Sequence, residues 1–393
     1  MCVRRPAQDI PIVKPPETAE DLAEALRRQA LHDRTILLEG NGTKRLMAGP
    51  AGDADEYIST SALNRVLDYD PRAFTIGVES GMPWRDLTAL LTRNRQMVPL
   101  DPPFAEAATV GGVVAANCSG PRRRLYGTAR DMVIGMQFAT LDGKLARSGG
   151  MVAKNVAGLD VAKLLIGSFG TLAAITAVNF KLAAMPKVER TFLAPFASAR
   201  DAMAARARIL SSGLQPAALD LLNPAAAQTV ADKVWLLAVR ASGGAPALRR
   251  YHDHPSLREA LVIEDVSHAS LWSQIEEFTP HFLALNPHGA VVRASCTLKE
   301  LETVVASFEG PALARAGSGV CYGYFEQPLA AAEWMDAAVG RDWKAVIEFA
   351  SGEDKPGLNL WPSPGGDFEL MQRVKCVFDP GILLNRGRLY RLI

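Results

Sequence analysis

The 393-residue sequence predicts an α+β fold built from two successive domains. Three features indicate this. Helical and strand patterns alternate through the first hundred residues, a long block rich in glycine and other small residues occupies 102–186, and further β-α-β patterns with antiparallel returns follow from residue 191 onward. Patterns of the last kind are typical of a ferredoxin-like sheet covered by helices, which we expect for the second domain.

The first predicted element is an amphipathic helix at 19–31. Leu22 and Leu26 share its apolar face, and Thr18 is the expected N-cap, with Asp21 completing a weak capping box. The remaining patterns of this domain predict strands at 35–38, 57–60, 73–79, 132–140 (followed by an Asp-Gly hairpin turn) and 171–184, and helices at 85–93 and 161–166.

The later part of the chain continues the alternation. Strands are predicted at 192–196, 219–222, 234–240, 290–295, 319–325 and 345–349, and helices at 199–210, 247–252, 298–308 and 330–339. The stretch 375–388 is too patterned for a floppy tail, since Asp379-Pro380-Gly381 forms a turn there. Arg386 and Arg388 are available to an anion, or they belong to a surface turn that closes the domain. Both interpretations stay open.

Composition excludes several classes of protein. A formal charge of +1 gives no general attraction to nucleic acid or anionic lipid. No run approaches 18 apolar residues, and the N-terminus lacks the apolar region of a signal peptide, so we expect a cytoplasmic protein with reduced thiols. The five cysteines are too scattered for a disulfide framework or an iron–sulfur site: Cys2, Cys118, Cys296, Cys321 and Cys376.

A glycine-rich turn follows the first predicted strand, with the sequence Glu39-Gly40-Asn41-Gly42-Thr43-Lys44. Glycine permits positive φ angles and close approach, so such a turn can present successive backbone N–H groups to a pyrophosphate. The turn is not a Gly-x-Gly-x-x-Gly fingerprint, because Arg45 stands where the third glycine belongs, and it lacks the ending of a Walker A loop. On its own it is a weak signal.

The block at 102–186 carries the stronger signal. It contains the runs Ala108–Gly120, Tyr126-Gly127 and Gly167–Leu172, which place small residues wherever a backbone would lie close against a large ligand. That pattern fits a dinucleotide cofactor, and we interpret the cofactor as a flavin.

These segments and the C-terminal Phe378-Asp379-Pro380, in this order, resemble the FAD-linked oxidases of the vanillyl-alcohol oxidase and p-cresol methylhydroxylase (PCMH) fold. Among these they resemble the FAD-binding E subunits of bacterial glycolate oxidase complexes. The resemblance implies a two-lobed PCMH-type FAD-binding domain at 1–188, an α+β substrate or cap domain at 189–355, and a C-terminal segment at 356–393 that returns to the FAD domain. It places these residues at the cofactor: Gly40, Asn41, Gly42, Thr43, Lys44, Pro102, Thr109, Gly111, Gly112, Ala116, Asn117, Gly120, Tyr126, Gly127, Asp131, Ile175 and Asn385.

The resemblance also implies an activity. Such a subunit belongs to a complex that oxidises glycolate, a 2-hydroxy acid, to glyoxylate and passes electrons through an iron–sulfur subunit to a respiratory acceptor. A homologous FAD subunit is the other expected partner, and contact with the membrane is expected only through partners. Some relatives attach FAD covalently through a histidine near the first glycine turn. Residues 38–47 contain none, so we expect non-covalent FAD.

One departure bears on the chemistry. Relatives that oxidise D-2-hydroxy acids carry a His-x-Gly-Asp-Gly-Asn-type segment in the second domain. The best-placed match here, 315–320, keeps the glycines but lacks the His, the Asp and the Asn. His252 and His254 lie in a polar loop and are interpreted as solvated, so no metal site is expected and no catalytic residue is assigned. We therefore expect the partner FAD subunit to abstract the hydride, while the flavin of this chain relays electrons or serves structurally.

Two alternatives remain. The chain is either a self-sufficient FAD-dependent oxidase or dehydrogenase of another hydroxy acid or alcohol, or a non-catalytic assembly subunit that FAD stabilises. If the chain turns over substrate itself, the run Arg122-Arg123-Arg124 supplies the candidates for holding a small carboxylate.

Overall fold

The computed structural model describes residues 15–51, 54–151, 160–228 and 234–393. The helices in these ranges are α1 (Ala19–Ala30), α2 (Trp84–Thr92), α3 (Val110–Ala115), α4 (Arg123–Tyr126), α5 (Ala129–Met132), α6 (Ala162–Leu165), α7 (Ala199–Ser211), α8 (Pro224–Ala227), α9 (Ala245–His252), α10 (Asp265–Glu276), α11 (Phe278–Leu285), α12 (Leu301–Ala306), α13 (Pro328–Gly340) and α14 (Phe368–Phe378). The strands are β1 (Ile36–Glu39), β2 (Glu56–Ser59), β3 (Val66–Asp70), β4 (Thr75–Glu79), β5 (Gln96–Met97), β6 (Val133–Ala139), β7 (Leu145–Gly149), β8 (Ala174–Lys181), β9 (Ala183–Ala184), β10 (Glu189–Phe196), β11 (Ala218–Leu222), β12 (Trp235–Ser242), β13 (Leu261–Ile263), β14 (Ala290–Ser295), β15 (Ala312–Arg315), β16 (Val320–Phe325) and β17 (Lys344–Phe349).

The first part of the chain forms a parallel pair, β1–β2, and an antiparallel sheet in the order β3-β4-β8-β6-β7. Helix α1 packs on β6 and β7, and its Leu22 and Leu26 are fully buried. The predicted capping box is confirmed, because the Thr18 hydroxyl accepts the Asp21 N–H at 3.0 Å and the Asp21 carboxylate accepts the Thr18 N–H at 3.1 Å. The predicted Asp-Gly hairpin joins β6 to β7.

The second sheet has eight antiparallel strands in the order β13-β10-β12-β11-β15-β16-β14-β17. Its first half is β10-α7-β11-β12-α9-β13 and its second half is β14-α12-β15-β16-α13-β17, so each half is a βαββαβ unit of the ferredoxin-like type. The second strands of the two units, β11 and β15, pair antiparallel and fuse the units into one sheet. The predicted ferredoxin-like architecture is confirmed, and the structure shows that it occurs twice.

Several elements differ from the sequence prediction. Helices α3, α10, α11 and α14 and strands β3, β13 and β15 had no counterpart in it. Helix α11 carries Pro280 in its first turn, a position that tolerates proline. In the sequence alone, this proline is typical of the end of a helix. The segment expected at 154–159 to precede α6 lies outside the described residues. None of the helices in the described ranges is both long and apolar enough to cross a membrane.

The chain after β17 packs on the first part of the structure. The ammonium of Lys375, at the end of α14, donates to the Asp379 carboxylate at 2.6 Å, to the Thr171 carbonyl at 2.6 Å and to the Leu384 carbonyl at 3.1 Å. Lys375 and Asp379 are both buried, so losing either partner would leave a lone buried charge, at a cost of about 3–5 kcal/mol. This ion pair fixes the C-terminal segment against the loop that leads into β8.

Candidate functional site

A cleft of about 730 Å³ lies between the glycine-rich turn, helix α3, the loop before β8 and the C-terminal segment. Residues from all four elements line it, including Gly40, Asn41, Gly42, Thr43, Lys44, Thr109, Gly111, Gly112, Phe169, Gly170, Ile175, Asn385 and Arg388. The cleft therefore gathers segments that are up to about 350 residues apart in sequence.

The glycine-rich turn offers a row of unused backbone donors to this cleft. None of the N–H groups of residues 41–44 donates to another described residue. Gly42 has a φ of +71°, and a side chain at Gly40 would collide with the Thr109 side chain, so the turn can lie here only because these two positions are glycine. Consecutive free N–H groups of this kind suit an anion such as a pyrophosphate.

The C-terminal segment holds the turn and its strand in place. Asn385 accepts the Leu38 N–H at 2.7 Å and donates to the carbonyls of Leu38 and Phe169 at 2.9 and 2.7 Å. Arg388 donates to the carbonyls of Lys44 at 2.8 Å and of Gly49 at 3.1 Å. The guanidinium is thus committed to backbone carbonyls, and burial lowers its pKa to about 10. The expectation that Arg388 is available to an anion is wrong, because this side chain clamps the turn.

Lys44 also turns its side chain into the protein. Its ammonium donates to the Pro103 carbonyl at 2.9 Å and lies 4.7 Å from the centre of the Phe104 ring. Burial lowers the pKa of Lys44. Toward the cleft, this residue therefore offers mainly its backbone N–H.

A second cavity, of about 1,230 Å³, lies between the first domain and one face of the eight-stranded sheet. Phe169 lines both the cleft and this cavity. From the first domain the lining residues include Asp101, Ala116, Asn117, Cys118, Ser119, Gly120, Arg123 and Thr128, and from the second part they include Glu276, Thr279, Arg293, Arg315, Tyr322 and Glu348.

The residues that the family resemblance placed at the cofactor separate into three groups. The cleft is lined by Gly40, Asn41, Gly42, Thr43, Lys44, Thr109, Gly111, Gly112, Ile175 and Asn385, and the second cavity by Ala116, Asn117 and Gly120. Neither is lined by Pro102, Tyr126, Gly127 or Asp131. Asp131 has a local task instead, because its carboxylate accepts the Thr128 N–H at 2.8 Å and caps α5. Gly127 has a φ of +89°, which explains its glycine without any ligand.

The run of three arginines divides by environment. Arg122 donates to the Asp101 carboxylate at 2.6 Å and lies 3.7 Å from that of Glu189. Arg124 points to the carbonyl of Pro216 at 3.4 Å and is outside the cavity. Arg123 lines the cavity, and its guanidinium has no hydrogen-bond or ion-pair partner among the described residues.

The other two arginines of the cavity have carboxylate partners. Arg293 donates to Glu348 at 2.7 Å, and Arg315 is ion-paired with the buried Asp220. Burial and the nearby charges of Arg293 and Arg315 lower the pKa of Arg123. The described part of the cavity therefore presents one cation without a carboxylate partner, and this arrangement favours an anionic ligand.

Two further groups of the cavity keep their protons. Burial raises the pKa of the Tyr322 phenol, whose hydroxyl has no hydrogen bond to a described residue. Burial also raises the pKa of the Cys118 thiol to about 11, so Cys118 is a neutral packing residue rather than a nucleophile. Tyr322 thus adds a free hydroxyl donor to the cavity that Arg123 lines.

Among the residues of this cavity, Glu276 was the hardest to predict from the sequence. It ends α10, a helix that the apolar pattern did not predict, and its side chain keeps 24% exposure. Burial and the negative charge of Asp101 raise its pKa to about 8, although Arg122, Arg240 and Arg315 act in the opposite direction. No signal short of the fold would have brought this carboxyl group to the cavity.

The histidines stay away from this site. His288 is exposed and lies 3.3 Å from the Asp354 carboxylate, and no histidine is among the described residues that line the second cavity. His252 contacts only its exposed neighbour Asp253, at 3.4 Å. Within the described ranges no group of three or more His, Cys, Asp or Glu side chains is placed to hold a metal ion.

Comparisons with known proteins agree on the type of protein. The FAD binding domain model matches residues 11–149, and the model of the C-terminal domain of FAD linked oxidases matches residues 185–251. The glycolate oxidase subunit GlcE of Escherichia coli (strain K12) is 31% identical over 67% of this chain and 71% of its own length. The glycolate oxidase subunit GlcD of Bacillus subtilis (strain 168) is 28% identical, but the match spans only 44% of that protein.

Two further comparisons cover nearly the whole chain. A D-lactate dehydrogenase of Archaeoglobus fulgidus is 26% identical over 98% of this chain and 93% of its own length. Among solved structures, alkyldihydroxyacetonephosphate synthase superposes with a TM-score of 0.71 at 18% identity, covering 94% of this chain and 74% of that one. At that identity the superposition shows a shared fold.

Proposed function

Because the chain belongs to the family of FAD-linked oxidases that includes the glycolate oxidase subunit GlcE, we propose that it oxidises a small 2-hydroxy acid, glycolate in the first place, to the corresponding 2-oxo acid. The family makes the chain an FAD-dependent oxidoreductase. We infer that residues 1–188 form the FAD domain, that 189–355 close the substrate cavity, and that 356–393 clamp the cofactor site.

The first cleft fits FAD. Free N–H groups at residues 41–44 suit the pyrophosphate, and Gly40, Gly111 and Gly112 line the same cleft. Phe169 lines both the cleft and the second cavity. A flavin whose pyrophosphate is bound at the glycine-rich turn would therefore extend its ring past Phe169 toward the second cavity. When bound, FAD accepts a hydride from substrate. The protein supplies the binding, orientation and electrostatics around it.

The observation that carries the substrate assignment is the unpaired Arg123. The other described arginines that line the second cavity, Arg293 and Arg315, have carboxylate partners, so a small carboxylate ligand would supply the counter-charge that Arg123 lacks. A guanidinium binds a carboxylate through two parallel hydrogen bonds, and the free Tyr322 hydroxyl provides a further donor in the same cavity. Arg123 thus anchors the acid group, which holds the hydroxyl-bearing carbon in a fixed place.

Partners belong to the same proposal. GlcE and GlcD are both named as subunits of a glycolate oxidase, which supports a multi-subunit complex for this chain. We propose a homologous FAD subunit and an iron–sulfur subunit that passes electrons to a respiratory acceptor, with the membrane reached only through those partners.

A second candidate is favoured by the match to the D-lactate dehydrogenase, which spans 93% of that protein. On this proposal the chain oxidises a D-2-hydroxy acid without partners. The shared chemistry is the oxidation of a carbon that carries both a hydroxyl group and a carboxylate, and Arg123 serves it in the same way.

Anaerobic flavin reduction separates these candidates. The chain is purified alone and then together with its FAD and iron–sulfur partners, and glycolate or D-lactate is added while the flavin absorbance near 450 nm is followed. Bleaching of the isolated chain establishes its own turnover and contradicts a pure relay. If this chain's flavin is not bleached even in the full complex, the chain is an assembly subunit. Purified protein without flavin would contradict the proposal altogether.

A further inference from the structure

We propose that Glu276 accepts the hydroxyl proton of the substrate. This inference rests on the proposed function, since it assigns a residue to the oxidation of a 2-hydroxy acid in the second cavity. It supplies the proton acceptor that the missing His-x-Gly-Asp-Gly-Asn segment left without a candidate.

Three carboxylates line the described part of the cavity, Asp101, Glu276 and Glu348. Asp101 accepts hydrogen bonds at 2.6 and 3.1 Å from Arg122, and Glu348 accepts one at 2.7 Å from Arg293. Glu276 has only a long contact, at 3.4 Å, with a guanidinium that already forms two 2.9 Å bonds to Glu189. Glu276 is therefore the carboxyl group of the cavity with lone pairs left for a ligand.

Charged groups around Glu276 affect its proton affinity. Burial and Asp101 favour the neutral carboxyl group, as does its position at the carboxyl end of α10, where the helix dipole is negative. Arg122, Arg240 and Arg315 face it from three other elements and favour the carboxylate. The balance raises the pKa of Glu276 toward the neutral range. A group of that proton affinity can take up a proton and release it again near working pH.

The step balances as follows. The hydroxyl O–H bond breaks and its proton passes to the Glu276 carboxylate, while the carbon–hydrogen bond breaks and the hydride passes to FAD. The hydroxyl carbon becomes a carbonyl, so the substrate is oxidised by two electrons and the flavin is reduced by two. Glu276 then returns its proton to solvent. Tyr322 and Cys118 are unsuitable as acceptors, because burial keeps both protonated at neutral pH.

The decisive variant is Glu276→Gln, which keeps the shape and removes the titrating group. Glu333→Gln is the matched control, because Glu333 is an exposed carboxylate of α13 outside both cavities. In anaerobic stopped-flow reduction we expect the wild-type rate to rise with pH through an apparent pKa near that of Glu276. The reduction rate of Glu276→Gln should be lower than that of wild type by at least about 100-fold, and it should not depend on pH. Glu276→Asp should retain the pH dependence at a reduced rate.

A second readout does not depend on turnover. Oxalate, an unreactive dianion, is titrated into the flavin-loaded protein by calorimetry in two buffers of different ionisation enthalpy at pH 8. Glu276 lines the same cavity as Arg123, so the negative charge of bound oxalate should raise the proton affinity of Glu276, and wild type and Glu333→Gln should take up a fraction of a proton. Glu276→Gln should bind oxalate within a few-fold as tightly with no uptake.

The outcomes separate this inference from the proposed function. If 2-hydroxy acids reduce wild type and Glu276→Gln equally fast, the assignment of Glu276 is wrong and the proposed function stands. If wild type is never reduced, even with its partners, both fail. Loss of flavin or of thermal stability in Glu276→Gln is checked first, and Glu276→Asp then decides. A pH-independent rate in that variant also overturns the assignment.

Discussion

Replacing Arg123 by methionine tests how the substrate is held. The guanidinium has no protein partner in the described structure, so its removal breaks no internal hydrogen bond and leaves no orphaned carboxylate. Methionine keeps much of the apolar stem. We therefore expect an unchanged melting temperature, in contrast to the effect of removing Arg122, whose loss would leave the carboxylate of Asp101 buried without its partner.

The expected loss is in substrate affinity. A hydrogen bond to a charged group contributes about 1.5–3 kcal/mol, and 1.4 kcal/mol is a factor of ten in binding. Among the described lining residues Arg123 is the cation without a partner, so its removal should weaken the binding of a 2-hydroxy acid by about 10- to 100-fold. Arg293 and Arg315 stay in the cavity but are engaged with Glu348 and Asp220, so neither replaces the missing guanidinium.

The assay is the dependence of the anaerobic flavin reduction rate on substrate concentration. Arg123→Met should raise the half-saturating concentration and change the limiting rate far less, because the side chain binds the acid group and takes no part in proton transfer. Arg123→Lys should fall between wild type and Arg123→Met, since it restores the charge without the paired donors. Arg124→Met is the matched control, as its side chain lies outside the cavity.

An Arg123→Met protein with wild-type half-saturation would refute this reasoning. Equal losses in the Arg123 and Arg124 variants would also refute it, because they would point to the general charge of the surface.

Three further predictions follow from other parts of the structure. Asn385→Ala removes three hydrogen bonds and leaves the buried Leu38 N–H unsatisfied, so we expect a loss of about 2–4 kcal/mol in unfolding free energy and weaker retention of flavin; the exposed neighbour Arg386→Ala should behave like wild type. Glu189 is predicted to make folding sensitive to acid. Burial alone would raise its pKa, but the His268 ring and the guanidiniums of Arg240 and Arg122 lower it to about 2 in the folded protein. As pH falls, the unfolded chain therefore binds this proton before the folded protein does. About 3 kcal/mol of stability, fully present above pH ~5, is lost by pH ~2. Denaturant titrations should show that Glu189→Gln abolishes this loss. Finally, acid precipitation should release the flavin into the supernatant; a yellow pellet would contradict non-covalent attachment.

Much of the fold was accessible from sequence because its signals are local. The capping box at Thr18, the Asp-Gly hairpin and the predicted strand runs each depend on neighbouring residues, and these predicted elements lie within a few positions of the observed ones, whereas β3, β13 and β15 were not predicted. The duplication of the ferredoxin-like unit was not accessible. It is a relation between topologies, visible only when β11 is seen paired with β15, and the two units share no repeated motif in sequence.

The site also has one part that local sequence predicts and one part that it does not. Glycines at 40 and 42 predict a backbone that turns sharply and lies close to a ligand, so the cleft could be predicted from composition and order. The second cavity depends on pairing. Of three consecutive arginines, sequence gives no reason to choose the middle one, because the choice follows from Asp101 reaching Arg122 and from Pro216 meeting Arg124. Likewise, Glu276 enters the cavity only because α10 packs against β10, a contact that the sequence does not reveal.

The pairing pattern also bears on whether this chain turns over substrate or only relays electrons. The described residues that line the second cavity include no histidine, which is the observation on the side of a relay. Burying a charged group costs desolvation energy, which full pairing would offset. A relay or assembly subunit would therefore gain nothing from leaving the Arg123 guanidinium without a described partner and the Glu276 carboxyl group weakly bonded in one partly buried cavity. The other charges of the cavity, such as those of Asp101, Arg293 and Glu348, are paired in this way. Arg123 has no partner among the described residues and Glu276 has only the 3.4 Å contact with Arg240, and these are the two groups that we propose to hold the acid and to take the proton. Together they favour turnover at the flavin of this chain.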